Sequence, residues 1–576
     1  MSERSYWDKF VNRRVSRRRA IAATGALTAS AAFLAACGGD DDDDDDDGGA
    51  AAPTTAASSG SSSGGGAAPS GGGIKTGGLF RTTMVAEDPA HFDLHQAASF
   101  LITEEFTLCY NQLTRFSETE LGAVEPDLAA SWEQPDDLTL TFTLNEANFH
   151  DGTPFTSEDV KATYDRVQNP PEGITTIRQS WLDPLESVET PDERTAVLHM
   201  SRPSAFMFTS LATTPMPIYA AKDMATDPHW HEANVNGTGP FVVDRIDQGS
   251  LYAFKKNPAY FLEGKPYLDN VEFHIIPEVV AVFAAWKGGN LDMYGPQAVE
   301  VTEVEGISDA TYIKTGGTAY WVMTVPTQKE PWTDERLWTA LALSVNKDDF
   351  NQAQFLGTSA HGGPMPPGNE WGLTEEELLQ VPGYKGLGDG QESDMETRWA
   401  EAKKLFSAAN FELSRPLELF SWDTGSFSVW MEVILDGLRN AGLENANLTL
   451  VDRATYDERL ANRDWGDLAG NSRNAAVPDP TPVFADNYLE GSGRHYSDLV
   501  IPEVEDLWTR QEATLDANAR LDLVNQMSKA FLAKWQLDVS VYTVSNEAMW
   551  NYVKDYGPIY ASMYQGRKYD ALWLDQ

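Results

Sequence analysis

The chain has 576 residues, 11% of them aromatic, and a formal charge of -44; this is apolar material enough for two or three folded domains, and it rules out a wholly disordered acidic tail. Nucleic acid is excluded as a partner, because phosphate binding needs a concentrated positive field and no lysine/arginine cluster occurs beyond the first 20 residues. With Cys37 and Cys109 the two cysteines, disulfides cannot be the staples of the fold.

In chain order, the first element is an export address. Residues 12–37, NRRVSRRRAIAATGALTASAAFLAAC, pass from a basic segment through an Ala-rich apolar segment to small residues before a cysteine. Ser16-Arg17-Arg18-Arg19 resembles a twin-arginine signal, with Ala20 where an aromatic is usual. Leu34-Ala35-Ala36-Cys37 resembles a lipobox, which makes Cys37 the expected lipidation point and residues 1–36 an expected signal peptide. The stretch from Ala20 to Ala36 is short and weakly apolar for a bilayer core of about 30 Å, so cleavage is favoured over a membrane span. Residues 37–73 carry eight consecutive aspartates followed by Gly, Ala and Ser. Such a segment has nothing to bury and reads as a disordered tether with a reach of roughly 30–35 Å, more where the aspartates repel.

From Ile74 onward strand and helix patterns alternate. Leu138–Leu144, LTLTFTL, alternates strictly, as do VEFHII at 271–276 and LTLVD at 448–452, so each is expected to be a strand. Between them, Thr156 is placed to cap a helix with Val160, Tyr164 and Val167 on one face. Two further helical stripes are Trp399, Ala402, Phe406, Ala409 and Leu521, Val524, Ser528, Phe531, Trp535, whose aromatics are expected to pack the core. The alternation argues an α/β architecture. Cys109, in TLCYNQL, is expected to be a buried small hydrophobe.

No catalytic apparatus stands out. The pairs His91/His95 and His229/His231 invite a metal, but no cysteine supports them and surface histidines are the simpler reading. A secreted hydrolase or metal-dependent enzyme using His229 and His231 is retained as the competing expectation. Phosphate-cradling glycine loops, zinc-protease motifs and a nucleophile elbow are missing from the sequence, so the expectation is no enzyme, no cofactor and no metal.

The segment Asp127–Val167, DLAASWEQPDDLTLTFTLNEANFHDGTPFTSEDVKATYDRV, resembles the signature of extracellular solute-binding proteins of family 5, the peptide- and nickel-type receptors of ATP-driven importers. Gly237-Thr238-Gly239-Pro240-Phe241 and the strand after it, PWTDERLWTALALSVNKDDF at 331–350, EAKKLFSAANF, and the helices from Ile501 resemble later blocks of that family in order. The resemblance spans residues 77–576. It implies a two-lobed periplasmic-binding-protein-like fold of the large type, with mixed β-sheets flanked by helices, an extra subdomain in lobe I and a two-crossover hinge. Carried onto this chain, lobe I takes 74–312 plus a C-terminal return at 545–576, and lobe II takes 313–544. The implied protein is a monomer on the outer face of the cytoplasmic membrane that hands a small or peptide-like solute to the permease subunits of an ABC transporter; a solute sensor is the other reading of the same fold.

The resemblance also points to the ligand. Peptide-binding members hold the peptide amino terminus with an aspartate four residues before a proline; aligned on Asp479-Pro480, this chain has Ala476 there, with Arg473 and Asn474 close by. An arginine in a cleft favours carboxylate or another anion. By the same analogy the expected ligand-binding residues are His91, Phe92, Asn111, Tyr320, Trp321, Trp422, Asp423, Arg473 and Asn474.

Overall fold

The computed structural model describes residues 73–84, 88–97, 100–118, 122–384, 394–537, 541–557 and 566–576. The export segment, Cys37 and nearly all of the tether lie outside the described residues.

The first half of the chain builds two four-stranded sheets. One is a meander with a helical insert: β2 (Ala129–Asp136), β3 (Thr139–Leu144), α1 (Ser157–Gln168), β4 (Leu185–Asp192) and β5 (Thr195–Met200), in the order β2-β3-β5-β4 and antiparallel throughout. The other combines β1 (Leu79–Met84) with β6 (Phe241–Asp247), β7 (Leu251–Lys256) and β8 (Asn270–Ile275), in the order β1-β8-β7-β6, with β1 and β8 parallel. Strict alternation places Leu140, Phe142 and Leu144 of β3 in a core shared with Val160, Tyr164 and Val167 of α1. The expected cap is present: the Asp159 carboxylate accepts from the Thr156 backbone N–H at 2.8 Å and from its hydroxyl at 3.2 Å. The strand expected at 271–276 is observed at Asn270–Ile275.

A seven-stranded sheet organises the rest: β9 (Met293–Tyr294), β10 (Ala310–Thr324), β11 (Ala360–His361), β12 (Leu417–Trp422), β13 (Ala446–Val451), β14 (Leu468–Asn474) and β15 (Val541–Trp550). Its order is β9-β15-β10-β14-β12-β13, with β11 against β15. β12, β13 and β14 run parallel, while β10 is antiparallel to both β14 and β15. Parallel pairing requires crossover connections, and α2 (Gly425–Asn440), between β12 and β13, supplies one. Around this sheet lies a separate core that takes in both aromatic stripes. Ala402 and Phe406 come from the helix Met395–Ala408, and Val524, Phe531 and Trp535 from the helix Ala517–Lys534 and the residue that follows it.

Two strands connect the halves. β10 pairs with β15 from Ala310 to Gly316, shifts register between Gly316 and Tyr320, and only then takes up β14 from Ala319 onward. At Gly317 a Cβ atom would stand 2.0 Å from the Thr543 hydroxyl and 2.7 Å from its carbonyl oxygen, so the two strands approach there as only glycine allows.

The Gly237–Pro240 turn is stiff for a reason the sequence does not show. Neither glycine has a positive φ; each lies against the backbone of residues 108–110, where a Cβ on Gly239 would meet Cys109 C at 2.4 Å and Leu108 O at 2.5 Å. Gly239 donates to the Cys109 carbonyl at 3.0 Å. Cys109 is a free, fully buried thiol pushed up by burial.

Buried ion pairs are consistently matched. Arg166 meets Asp93 at 2.5 Å, Arg520 forks onto Asp479 at 2.8 and 2.7 Å, and Lys568 of the C-terminal segment reaches Asp127 at 2.5 Å. Three histidines are buried neutral: burial pushes His95 down to about 4, His231 to about 3 and His495 to about 4. For His95 the partners agree, since one ring nitrogen accepts from Arg166 at 2.8 Å and the other donates to the Pro217 carbonyl at 3.0 Å.

Replacing Gly239 with alanine is expected to lower stability by about 1–3 kcal/mol, because the added methyl collides with backbone that cannot rotate away; a lowered urea midpoint at unchanged m value measures it. The histidines give a signed pH dependence. Unfolded imidazoles bind protons below about 6.5, whereas these three stay neutral in the fold to about 4 or below, so the stability they confer is complete above about pH 6.5 and is lost as pH falls toward 4. Each is worth on the order of 1 kcal/mol at about pH 5.5. The urea midpoint should fall between pH 7 and 5.5, and His231→Phe, which keeps the stacking ring, should reduce that fall.

Candidate functional site

In open sheets a ligand crevice forms outside the carboxyl ends of parallel strands, where backbone groups and loop side chains converge with no strand to follow. Here those ends are Trp422-Asp423 after β12 and Asn474–Val477 after β14. The loop after β14 is held firmly. Asp479 caps α3 (Pro480–Asn487) by accepting from Thr481 N at 2.8 Å, and the Arg520 guanidinium locks the same carboxylate from α4 (Ala517–Lys534). Ala475 donates to Thr318 O at 3.0 Å.

The same loop meets the first half of the chain. Val477 is buried within the core of the β2–β5 sheet, and Ala476 packs against it. Two more contacts bridge the halves. Ala205 N donates to Glu512 O at 2.8 Å beside an Arg202–Glu512 pair at 2.7 Å, and the Asp486 carboxyl, pushed up by burial, feels Arg178 from the first half and Arg494 from its own. The strand ends of the large sheet therefore face the small antiparallel sheet, with Ala476 between them.

Register gathers several expected residues. Tyr542, Tyr320 and Arg473 are direct partners across β15, β10 and β14, so their side chains form a row on one face. Tyr320 is fully buried; its ring packs 4.7 Å from that of Tyr542, and its hydroxyl bonds that of Tyr488. Asn474, half-buried, is the next residue of β14. Trp422 is half-buried under the Arg453 guanidinium, 4.6 Å from the ring centre, and Asp423 is exposed beside it.

Other expected residues fall elsewhere. Trp321 points to the opposite face of β10, where it packs against Phe350 at 5.3 Å and Phe355 at 5.4 Å. Asn111 is fully buried in the first half: its amide donates to Asp127 at 2.5 Å and its oxygen accepts from Thr238 at 3.2 Å, so the side chain fastens the fold rather than facing a crevice. His91 and Phe92 are half-buried next to the helix at Trp230–Ala233, Phe92 against Phe106 at 4.9 Å. The competing histidine pair does not converge. His229 is partly exposed and bonds Glu232 at 2.8 Å, whereas His231 is buried and stacked on Tyr219 with centroids 3.6 Å apart. Among the described residues no three metal-ligating side chains come together, and no helix is long and apolar enough to cross a membrane.

Around Arg473 lie residues that sequence reasoning did not single out. Tyr496 sits 5.4 Å under its guanidinium, His495 adjoins it, and Tyr456 donates to Gly470 O and Asn471 Oδ1 at 3.1 Å. The stretch RHYSD at 494–498, behind the glycines of GSG, was the available signal: a basic, aromatic and imidazole cluster in a loop.

Comparison with known proteins agrees with this geometry. Residues 123–494 match the model for bacterial extracellular solute-binding proteins, family 5, middle region. An ABC transporter peptide-binding protein of Brucella ovis is 30% identical over 261 residues, 44% of this chain and 47% of that one; the chain thus spans about half the length of the curated relatives it matches first. The dipeptide-binding protein of Escherichia coli is 24% identical over 456 residues, 72% of this chain and 80% of that protein. The binding protein AgaA from A. tumefaciens R10, solved with agropinic acid, superposes with a TM-score of 0.70 at 22% identity, covering 87% of this chain and 99% of that one. The architecture is that of the periplasmic binding proteins. Since the matched region takes in well over half of the sequence, the chain belongs to the bacterial extracellular solute-binding proteins of family 5.

Proposed function

We propose that the protein is a lipid-anchored receptor that captures a small solute, peptide-like or another organic molecule, between two lobes and delivers it to the permease subunits of an ABC importer. Lobe I takes residues 74–312 with the return at 545–576, and lobe II takes 313–544. One observation carries the reading: two halves with their own cores are joined through the strands β10 and β15 and meet at the carboxyl ends of β12 and β14, where Val477 enters the core of the β2–β5 sheet. That arrangement suits closure about a two-strand hinge, in which a solute touching both lobes favours the closed form. A binder of this kind needs no catalytic group to report loading. Cys37 would carry the lipid, residues 1–36 would be removed on export, and the acidic tether would hold the receptor away from anionic headgroups at the outer face of the cytoplasmic membrane.

A bound solute stabilises the fold by RT ln(1 + [L]/Kd), about 2.7 kcal/mol at a hundredfold excess over Kd. A thermal-shift screen of small solutes should therefore find stabilising compounds, and scattering should record a smaller radius of gyration in their presence; no stabilising solute and no compaction would reject the reading. For the anchor, Cys37→Ala is expected to leave the protein unacylated with its signal uncleaved, as read by mass spectrometry of the N-terminus. Recovery of a cleaved, acylated variant in the membrane fraction would overturn it.

A further inference from the structure

Buried arginines in this protein follow a rule, and one breaks it. Arg166 faces Asp93, Arg520 faces Asp479 and Arg567 faces Glu547, while Arg398, whose Nε and Nη1 are also unmatched, still donates Nη2 to the carbonyls of Ala342, Val345 and Gly383. Arg473 is 2% exposed, forms no ion pair among the described residues, and its Nε and Nη1 donors find no hydrogen-bond acceptor. Acceptors are not scarce, since the chain carries 87 aspartates and glutamates. The carboxylate nearest in sequence to its aromatic cover, Asp498, is engaged by Arg463 at 3.0 and 3.1 Å. His495 cannot supply negative charge: its Nδ1 donates to Leu489 O at 3.3 Å, and its Nε2 accepts from Leu499 N at 3.2 Å.

A buried guanidinium without a partner costs several kcal/mol, and replacement of such a group by an apolar one is often stabilising. Arg473 stands at the last turn of the pleat before β14 ends, in the row with Tyr320 and Tyr542 and against the ring of Tyr496. The charge is thus held on rigid strand backbone beside the crevice, while the position that would bind an ammonium is Ala476, packed on apolar side chains. At that position no side chain neutralises a cation on the solute, whereas the charge of Arg473 stands unmatched.

We infer that the solute is an oxyanion, a carboxylate or a group of the same shape, that accepts from the unmatched donors of the Arg473 guanidinium while its apolar part packs along the aromatic row of Tyr320, Tyr542 and Tyr496. This deepens the receptor reading and rests on it. Nη2 shares one edge of the guanidinium with Nε and the other with Nη1, so either edge offers a carboxylate a bidentate fork, a geometry lysine cannot reproduce. The class selected is organic acids without a required amine, in contrast to zwitterions held at both ends.

The test uses the folded protein with matched probes: dicarboxylic acids, sugar acids, N-acyl amino acids and phosphomonoesters, each beside its neutral amide or alcohol, measured by thermal shift and calorimetry. Stabilising probes are expected to be anions, with the neutral partners at least about 100-fold weaker, and carboxylates against phosphate esters decide which oxyanion fits. Arg473→Gln and Arg473→Met should lose the same factor in affinity while melting, without probe, no lower than the parent; Arg473→Lys should restore little. Neutral probes that bind as well as the acids, or Arg473→Gln binding undiminished, would overturn this inference and leave the receptor intact. Glutamine and methionine variants that both melt well below the parent yet bind normally would make Arg473 a structural residue and overturn it too. If no probe binds and no small molecule is found by mass spectrometry in the purified protein, the receptor reading falls first and this one with it.

Discussion

The pairing of β10 with β15 is the constraint on which the rest depends. These two strands run from the core around the large sheet into two smaller cores, and their register fixes which side chains share a face with Arg473. A strand shifted by one residue presents its other face, so a slip in β10 would replace Tyr320 with Trp321 in the row beside Arg473. The close approach at Gly317 and the register shift before Tyr320 set the point at which β10 leaves one partner and accepts the next. The proposed hinge and the proposed binding row would thus be consecutive parts of one strand.

Around that axis the protein separates its charges. Its surplus charge is negative, and several interior charges are paired across distant parts of the sequence. Lys568 with Asp127 and Arg115 with Asp570 tie the last residues of the chain to the first half, and Arg520 with Asp479 pins the loop that carries the strand-end residues. Pairs buried this thoroughly are strongly destabilised by loss of one member, because the survivor keeps its desolvation cost. The same physics makes Arg473 informative, since its uncompensated charge stands at the crevice and not in a framework position.

Ala476 shows how one loop can serve fold and specificity together. Family resemblance identifies it as the place of an amine anchor; its packing beside Val477 on the core of the small antiparallel sheet shows what the alanine does instead. A carboxylate there would face apolar neighbours without the ammonium that compensates it. The exchange of an acid for a methyl, next to an arginine, would reverse the sign of charge such a site accepts.

The strands at 139–144, 270–275 and 446–451, the capped helix after Thr156 and both aromatic helices were legible in the sequence because each depends on local periodicity and caps. Ordered blocks likewise carried the family and its fold. The sequence could also nominate Arg473, Asn474, Trp422 and Asp423, which lie at strand ends, but it could not tell Tyr320 from Trp321, or recognise that Asn111 has its amide satisfied within the fold. Those distinctions depend on pleat direction and on partners such as Asp127 and Thr238, set by pairing between distant segments. Tyr496 and His495 became part of the site for the same reason. Composition and local pattern determined that this is an acidic α/β chain with an export-like signature; tertiary structure alone decided which side chains share a face, because long-range register is not written in any local stretch of residues.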